Sequence, residues 1–336
     1  LGILYSIKLG NNIITNSTVS TLPKLVLSPM AGVTDAPFRY LATKLGADYA
    51  ISEMITSQTH LWQSNKTTRR LKSNFSETPK IIQIGGASPD VVADGARACA
   101  EDAGADIVEI NMGCPAKKVC NVLAGSALLR DEKLVEDILT AAVNAVKIPV
   151  YLKTRLGWDN DNKNILTIAK IAEESGIQSL AIHGRTRCDY YNGSASYNLI
   201  AEAKANSKIP VFANGDIDTP AKALDVWKLT QTDGLYIGRG ALGQPWLFQQ
   251  IKDYIQSGSF KQPDLEFILN LMLEHTELIH QHYGDVLGVR IARKHIKWYL
   301  EANANLFSER DTKFAHFAQI ESTSEQLTYL SSWFIQ

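Results

Sequence analysis

"PVFANGDIDTPAKALDVWKLTQTDGLYIGRGAL", residues 210–242, carries two short apolar runs, each ending in a glycine-bearing turn, with a helix-like stretch over 219–230 between them. Continuous runs of this kind suit strands buried on both faces of a parallel sheet. The same unit recurs from residue 25: LVLSPMAG (25–32), YAISEMI (49–55), KIIQIGG (80–86), DIVEINMG (106–113), PVYLKTRLG (149–157) and SLAIHGRT (179–186) precede the two runs already quoted. Helix-like segments fall at 35–46, 89–104, 128–147, 162–176 and 196–207, and Ser88 followed by Pro89 reads as an N-cap with proline at the first helical position. Eight strands alternating with helices over about 220 residues is the count and length of an α/β TIM (β/α)8 barrel. A doubly wound sheet is the alternative, but the G-x-G-x-x-G turn after its first strand is missing. Beyond residue 245 the strand pattern stops, and 263–300 and 312–334 read as helices. The expected organisation is an N-terminal extension (1–24), a barrel (25–245) and an all-helical C-terminal domain (246–336).

The 336 residues are 45% hydrophobic and 21% charged, with a formal net charge of -1. That composition is globular and carries no global basic surplus for nucleic acid, so a basic face would have to be local. No run approaches 18 consecutive apolar residues, which excludes a membrane-spanning helix. The opening LGILYSIKLGNNIITNST is broken by Lys8 and two asparagines and does not read as a secretory signal. The four cysteines, Cys99, Cys114, Cys120 and Cys188, form no disulfide framework, and the C-x5-C spacing of Cys114 and Cys120 is not that of a zinc knuckle. We therefore expect a cytoplasmic, monomeric protein with reduced thiols and no metal.

In barrels the chemistry lies at the C-terminal ends of the strands. Those ends are unusually polar here. They carry Pro29-Met30-Ala31-Gly32, Ser52 and Glu53, Gln83, Asn111 and Cys114, Lys153 and Arg155, His183 and Arg185, Asn214-Gly215-Asp216, and Gly238-Arg239-Gly240. The glycine turns after the last two strands suit a phosphate held by backbone amides, with Arg239 adding charge. Lys153 follows the apolar PVYL, and a buried lysine needs a partner: an anionic cofactor, or a structural ion pair with Glu109 or Glu53.

Cys114 falls just past the fourth strand, beside Lys117 and Lys118. Nearby lysines favour a thiolate nucleophile, whereas a thiol near its reference pKa of about 8.5 is mostly protonated and suits a proton donor. The residues alone leave both roles open. Cys99 and Cys120 read as small hydrophobes.

The strand-end strings SPMAGVTDAPFR, SEM, QIGG, EINMGCPAKKV, AGSALL, LKTRLGW, IHGRTR, ANGDI, IGRGALGQPW and RIARKHIKWYL, running from about residue 25 to 300, resemble the bacterial tRNA-dihydrouridine synthases, B-type branch. The resemblance implies an FMN-dependent, NADPH-driven oxidoreductase that reduces the C5=C6 bond of a D-loop uridine in tRNA. It places Pro29, Met30, Ala31, Gln83, Lys153 and His183 against the flavin, and Asn214, Gly215, Asp216, Gly238 and Arg239 around its phosphate. Hydride passes from flavin N5 to C6, and Cys114 donates the proton to C5 as general acid, with Asn111 orienting the base. Arg185, with Arg290, Arg293, Lys294 and Lys297 at three- and four-residue steps on the tail, is expected to contact tRNA.

Two rivals stand beside this reading. A dihydroorotate-dehydrogenase-like FMN barrel acting on a free pyrimidine explains ANGDI, IGRG and Lys153 but not the basic helix. A non-catalytic tRNA-binding or folding protein explains the basic helix but needs no Cys114.

Overall fold

In the computed structural model, which describes residues 22–71, 75 and 78–335, the expected barrel is present. Of the N-terminal extension, residues 1–21 lie outside the described residues. The described strands are β1 (Lys24–Leu27), β2 (Tyr49–Ala50), β3 (Ile55–Thr56), β4 (Ile81–Gly85), β5 (Ile107–Met112), β6 (Val150–Arg155), β7 (Ser179–His183), β8 (Val211–Asn214) and β9 (Gly234–Ile237). All ladders are parallel, in the order β2-β1-β9-β8-β7-β6-β5-β4-β3.

The two ends of that sheet are halves of one barrel strand. Ile51, just beyond β2, bridges Ile81 at the start of β4, and β3 pairs with the other end of β4. The ring of eight thus closes through a strand in two pieces, although YAISEMI reads as one run. The break has a cause in Glu53. Its carboxylate leaves the strand to accept the Gly32 N–H at 2.6 Å and the Arg70 guanidinium at 2.5 Å, tying the loop after β1 to the barrel.

Around the sheet lie α1 (Ala36–Lys44), α2 (Asn65–Leu71), α3 (Pro89–Glu101), α4 (Lys117–Cys120), α5 (Glu132–Ala145), α6 (Ile165–Glu174), α7 (Asn198–Asn206), α8 (Pro220–Thr230) and α9 (Leu247–Ser257). Several start as side-chain chemistry dictates: Asp35, Asp131 and Thr219 accept the N–H three residues on, and Pro220 fills the first turn of α8. Ser88 does occupy the N-cap of α3, but its hydroxyl makes no capping bond. The helix α9 falls in the stretch expected to be tail, yet Leu247, Phe248 and Ile251 pack into the barrel's core.

The tail proper comprises α10 (Leu265–Ala302), α11 (Arg310–Gln319) and α12 (Thr323–Ser331). The single helix expected over 312–334 is therefore two, parted by a short link before the Ser322 N-cap. Gly284 interrupts α10 at φ 73° and ψ 179°, a conformation open to glycine alone at little cost. The tail has its own apolar core, which Leu41 of α1 and Trp246 join. Among the described residues no helix is long and apolar enough to cross a membrane.

Inside the barrel the period-two rule of strands sorts residues into layers. Val26, Ile51, Ile81, Ile107, Ala181, Phe212 and Tyr236 form an apolar floor. Two residues further along the same strands come Gln83, Glu109, His183 and Asn214. Register sets them side by side: Gln83 faces Glu109, Asn111 faces Lys153, and His183 faces both Arg155 and Asn214.

Candidate active site

A cleft of about 890 Å³ opens over this polar layer. Pro29, Met30, Ala31, Gln83, Lys153, His183, Asn214, Gly215, Asp216, Gly238 and Arg239 all line it, together with Asn111 and Cys114. The loops after eight strands bring together what lies up to two hundred residues apart in the chain.

At its base is a directed hydrogen-bond chain. Glu109 is fully buried and accepts from the Tyr236 hydroxyl at 2.8 Å and from Gln83 Nε2 at 2.7 Å. Gln83 turns its amide nitrogen inward to that carboxyl and its oxygen outward. That oxygen receives Asn111 Nδ2 at 2.9 Å, which aims Asn111 Oδ1 at the Cys114 N–H, also 2.9 Å. One carboxylate in the barrel's centre thus orients two amides and the backbone of Cys114. Burial pushes the Glu109 carboxyl upward, and Lys153, Tyr236 and Gln83 oppose it.

The Cys114 carbonyl is held from the other side. Ser126 Oγ donates to it at 2.8 Å, the Ser126 N–H at 3.2 Å and Cys120 Sγ at 3.6 Å. Gly125 (φ 62°) lies so close that a Cβ there would stand 2.9 Å from the same oxygen. The AGS string after the cysteine is therefore the seat on which its loop rests. Cys120 serves as a weak donor to the Cys114 carbonyl and is buried. Lys117 is exposed at the head of α4; the side chain of Lys118 lies outside the described set.

Positive charge dominates the cleft. Lys153 Nζ donates to Asn214 Oδ1 at 3.0 Å, and burial holds its pKa below the usual lysine range. Arg155 is 1% exposed and anchors the rim, donating to the carbonyls of Gly113, Thr186 and Tyr190 at 2.7–2.9 Å. Tyr191 lies under two guanidinium groups, 4.7 Å from Arg239 and 5.5 Å from Arg155. Burial, reinforced by Arg155, Lys153, Arg185 and Arg239, drives the His183 imidazole well below its ordinary pKa, so it is neutral. Asp216 and Asp218 also line the cleft, and Arg239 pairs with Asp216 at 3.5 Å, so the lining keeps a small net positive charge, which suits an anion.

Residues 26–333 match the model of the family described as dihydrouridine synthase (Dus). The chain belongs to the dihydrouridine synthase family. It is accordingly an oxidoreductase. A tRNA-dihydrouridine synthase B of Pseudomonas syringae pv. tomato is 52% identical over 316 residues, 93% of this chain and 91% of that protein. One from Vibrio cholerae is 47% identical over 97% of this chain and 98% of its own. Among solved structures, a 2-naphthoyl-CoA reductase complex matches with TM-score 0.54 at 12% identity, over 68% of this chain and 50% of that one. Histamine dehydrogenase from Rhizobium sp. 4-9 matches with TM-score 0.54 at 11% identity, over 76% and 49%. These two show a shared barrel fold.

Within this dihydrouridine synthase, three residues expected to touch substrate are engaged inside the protein. Arg185 is 3% exposed, and its five N–H groups are all directed into the protein: both Asp216 oxygens at 2.7 Å, the Asn192 and Gly193 carbonyls, and His183 Nε2 at 3.4 Å. Nothing remains on its guanidinium for a phosphate. Lys294 donates to the Gly32 carbonyl, tying the tail to the loop after β1. Arg293 donates to the Ile320 carbonyl at 3.1 Å, inside the tail. Arg290 is exposed, and Lys297 pairs loosely with Glu301 at 3.7 Å. The sequence reading named Glu109 only as a structural partner for Lys153 and Arg155 only as a strand-end residue, and it passed over Tyr191. Glu109 and Arg155 carried a signal, since Glu109 precedes Asn111 and Arg155 follows Lys153 at strand period, but Tyr191 sits in an irregular loop with none.

Proposed function

We propose that this dihydrouridine synthase reduces the C5=C6 bond of a D-loop uridine in tRNA, with FMN as cofactor and NADPH as reductant, in the cytoplasm. The observation that carries the reading is the placement of Cys114 at the edge of a cationic cleft, on a loop fixed from both sides. FMN suits the residues present. Its phosphate matches the cation surplus and the glycines at 215 and 238, where a Cβ at 215 would stand 2.9 Å from the His183 ring and close the cradle. Its ring system matches the Pro29–Ala31 wall, and Lys153 supplies positive charge for the polar edge of the isoalloxazine. When bound, the flavin supplies hydride to C6 of the uracil ring.

The chain's own residues do the rest. Cys114 gives its proton to C5 as general acid, and Asn111 fixes where that thiol stands. Positioning supplies more of the rate than proton transfer does, because base, donor and acid must be in line. Neutral His183 borders the cofactor without adding to the positive charge. The helices after Ser257 form the tRNA-binding part, with Arg290 and Lys297 as phosphate contacts, and a monomer suffices. A base outside regular duplex is the one most readily drawn into such a cleft.

The test uses tRNA lacking dihydrouridine, incubated with the pure protein and NADPH and read by mass spectrometry. A gain of two hydrogens at one mapped D-loop uridine is the expected result. Turnover of free pyrimidines with no change in tRNA would replace this reading by the dihydroorotate-dehydrogenase-like one.

A further inference from the structure

Three buried side chains with no part in the reaction converge where the barrel meets the tail. Asp35 caps α1, immediately after the loop that lines the cleft; His275 lies on α10 before the Gly284 break, and His295 lies after it. One ligand atom from each falls within 4.8 Å of the others, and His295 Nε2 stands 3.9 Å from Asp35 Oδ2. The residues are 1–3% exposed. Independently of that clustering, Nε2 of His275 and Nε2 of His295 have no hydrogen-bond partner, although both are buried. Buried ring nitrogens left unpaired are costly and rare.

The other atoms of the cluster are engaged as a metal site's outer partners are. His275 Nδ1 meets the Tyr299 hydroxyl at 3.2 Å. With Nδ1 as donor, its Nε2 lone pair points into the cluster. Asp35 Oδ1 accepts the Phe38 N–H at 3.0 Å, and Oδ2 accepts the Tyr283 hydroxyl at 3.1 Å, keeping the carboxylate oriented. Lys294, the nearest cation, directs its ammonium to the Gly32 carbonyl. In the tautomers that leave both Nε2 atoms unprotonated, the two lone pairs and the carboxylate repel one another until a cation sits between them.

We propose that Asp35, His275 and His295 bind a divalent transition metal, zinc by the chemistry of its donors, and so clamp both halves of α10 to the barrel. Imidazole and carboxylate are borderline and hard donors that suit Zn²⁺. Bonds of about 2.0–2.2 Å in a tetrahedron separate ligand atoms by roughly 3.4 Å. His295 and Asp35, at 3.9 Å, would close by about half an ångström to meet that spacing, and the widest pair of the cluster, within 4.8 Å, by up to about 1.4 Å, which side-chain rotation supplies. The clamp lies outside the cleft, so its presence is independent of the reaction proposed above.

The experiment uses the full chain, stripped with a chelator, dialysed and titrated with Zn²⁺ against a chromophoric competitor, with thermal unfolding measured alongside. Expected are one zinc per chain, a higher Tm with zinc, and affinity lowered by more than about 100-fold in His275→Gln and His295→Gln, beyond what loss of an outer partner costs. Should either variant fail to fold, Co²⁺ added to the wild-type chain answers instead: visible ligand-field bands with no thiolate charge-transfer band place the metal on nitrogen and oxygen. Absence of stoichiometric zinc, uptake unchanged in both variants, or a sulfur charge-transfer band would each overturn the proposal. In the first case the three residues share only a proton.

Discussion

Glu109 accepts a hydrogen bond from Gln83 at 2.7 Å in the centre of the barrel, and the orientation of every amide between there and Cys114 follows from it. Glu109→Gln removes the obligate acceptor and lets the Gln83 and Asn111 amides flip. We expect kcat to fall by about tenfold or more with KM for tRNA little changed, and stability to fall by about 1–3 kcal/mol, the range for an imperfectly satisfied buried polar group. Steady-state kinetics and chemical denaturation check both. A fall in tRNA affinity at unchanged kcat would contradict the relay.

Gly125 and Ser126 support the Cys114 carbonyl. Gly125→Ala places a methyl 2.9 Å from that oxygen at a positive φ, so the loop must move. Expected is a loss of about 1 kcal/mol or more in stability, with a larger proportional loss of turnover. Ser126→Ala, which removes only the 2.8 Å bond, should cost about 1 kcal/mol and reduce turnover less. Equal turnover in the two variants would show that the seat is not what positions the thiol.

The contrast between strand and loop explains what could be read in advance. Residues on the inner face of a strand recur every second position, so Gln83, Asn111, Lys153, His183 and Asn214 were legible from apolar runs ending in polar groups. Arg185 obeys the same rule in sequence but not in space. Asp216, held at φ 49° after Gly215, turns its carboxylate back beneath the preceding loop and takes the guanidinium. Helical spacing likewise puts Lys294 with Arg290 and Lys297 on one face, and only the packing of α10 on α1 shows that this face partly meets the barrel. The broken second strand was equally hidden, because Glu53 there accepts a hydrogen bond from the N–H of a glycine twenty-one residues earlier.

Cys114→Ala tests the acid directly. Turnover should drop by about 10²- to 10⁴-fold, the usual worth of a positioned proton donor. Affinity for tRNA, measured by filter binding at fixed salt, should stay within about twofold of wild type. Unchanged turnover would move the proton donor elsewhere.

Buried Arg185 and half-buried Asp216 form a two-point ion pair at the wall of the cleft, with the Ala195 N–H also bonded to the carboxylate. Burial raises the Asp216 carboxyl, but Arg185, the Ala195 N–H and Arg239 outweigh it and hold the group below its usual range. The folded pKa is depressed, so the stabilisation is present above the unfolded value of about 3.9 and is lost as pH falls through the folded one. Asp216→Asn leaves the guanidinium short of charge and should cost about 3 kcal/mol at neutral pH. Below about pH 4 the difference between variant and wild type should shrink. A constant difference down to pH 3 would assign the cost to packing.

The basic residues of the tail should separate into two classes. Arg290 is exposed, and exposed Lys297 makes a 3.7 Å pair with Glu301 and lies 6.0 Å over the Phe314 ring, so both can turn to phosphates. Arg290→Ala and Lys297→Ala should weaken tRNA binding and each lower the slope of log affinity against log salt by up to about 1. Arg293 bonds the Ile320 carbonyl within the tail, and Arg293→Ala should lower the unfolding midpoint while leaving the salt slope alone. Binding isotherms at several salt concentrations, set beside melting curves of the same variants, decide it. A slope reduced by Arg293→Ala with no change in melting would place that guanidinium on the tRNA and Ile320 outside its hold.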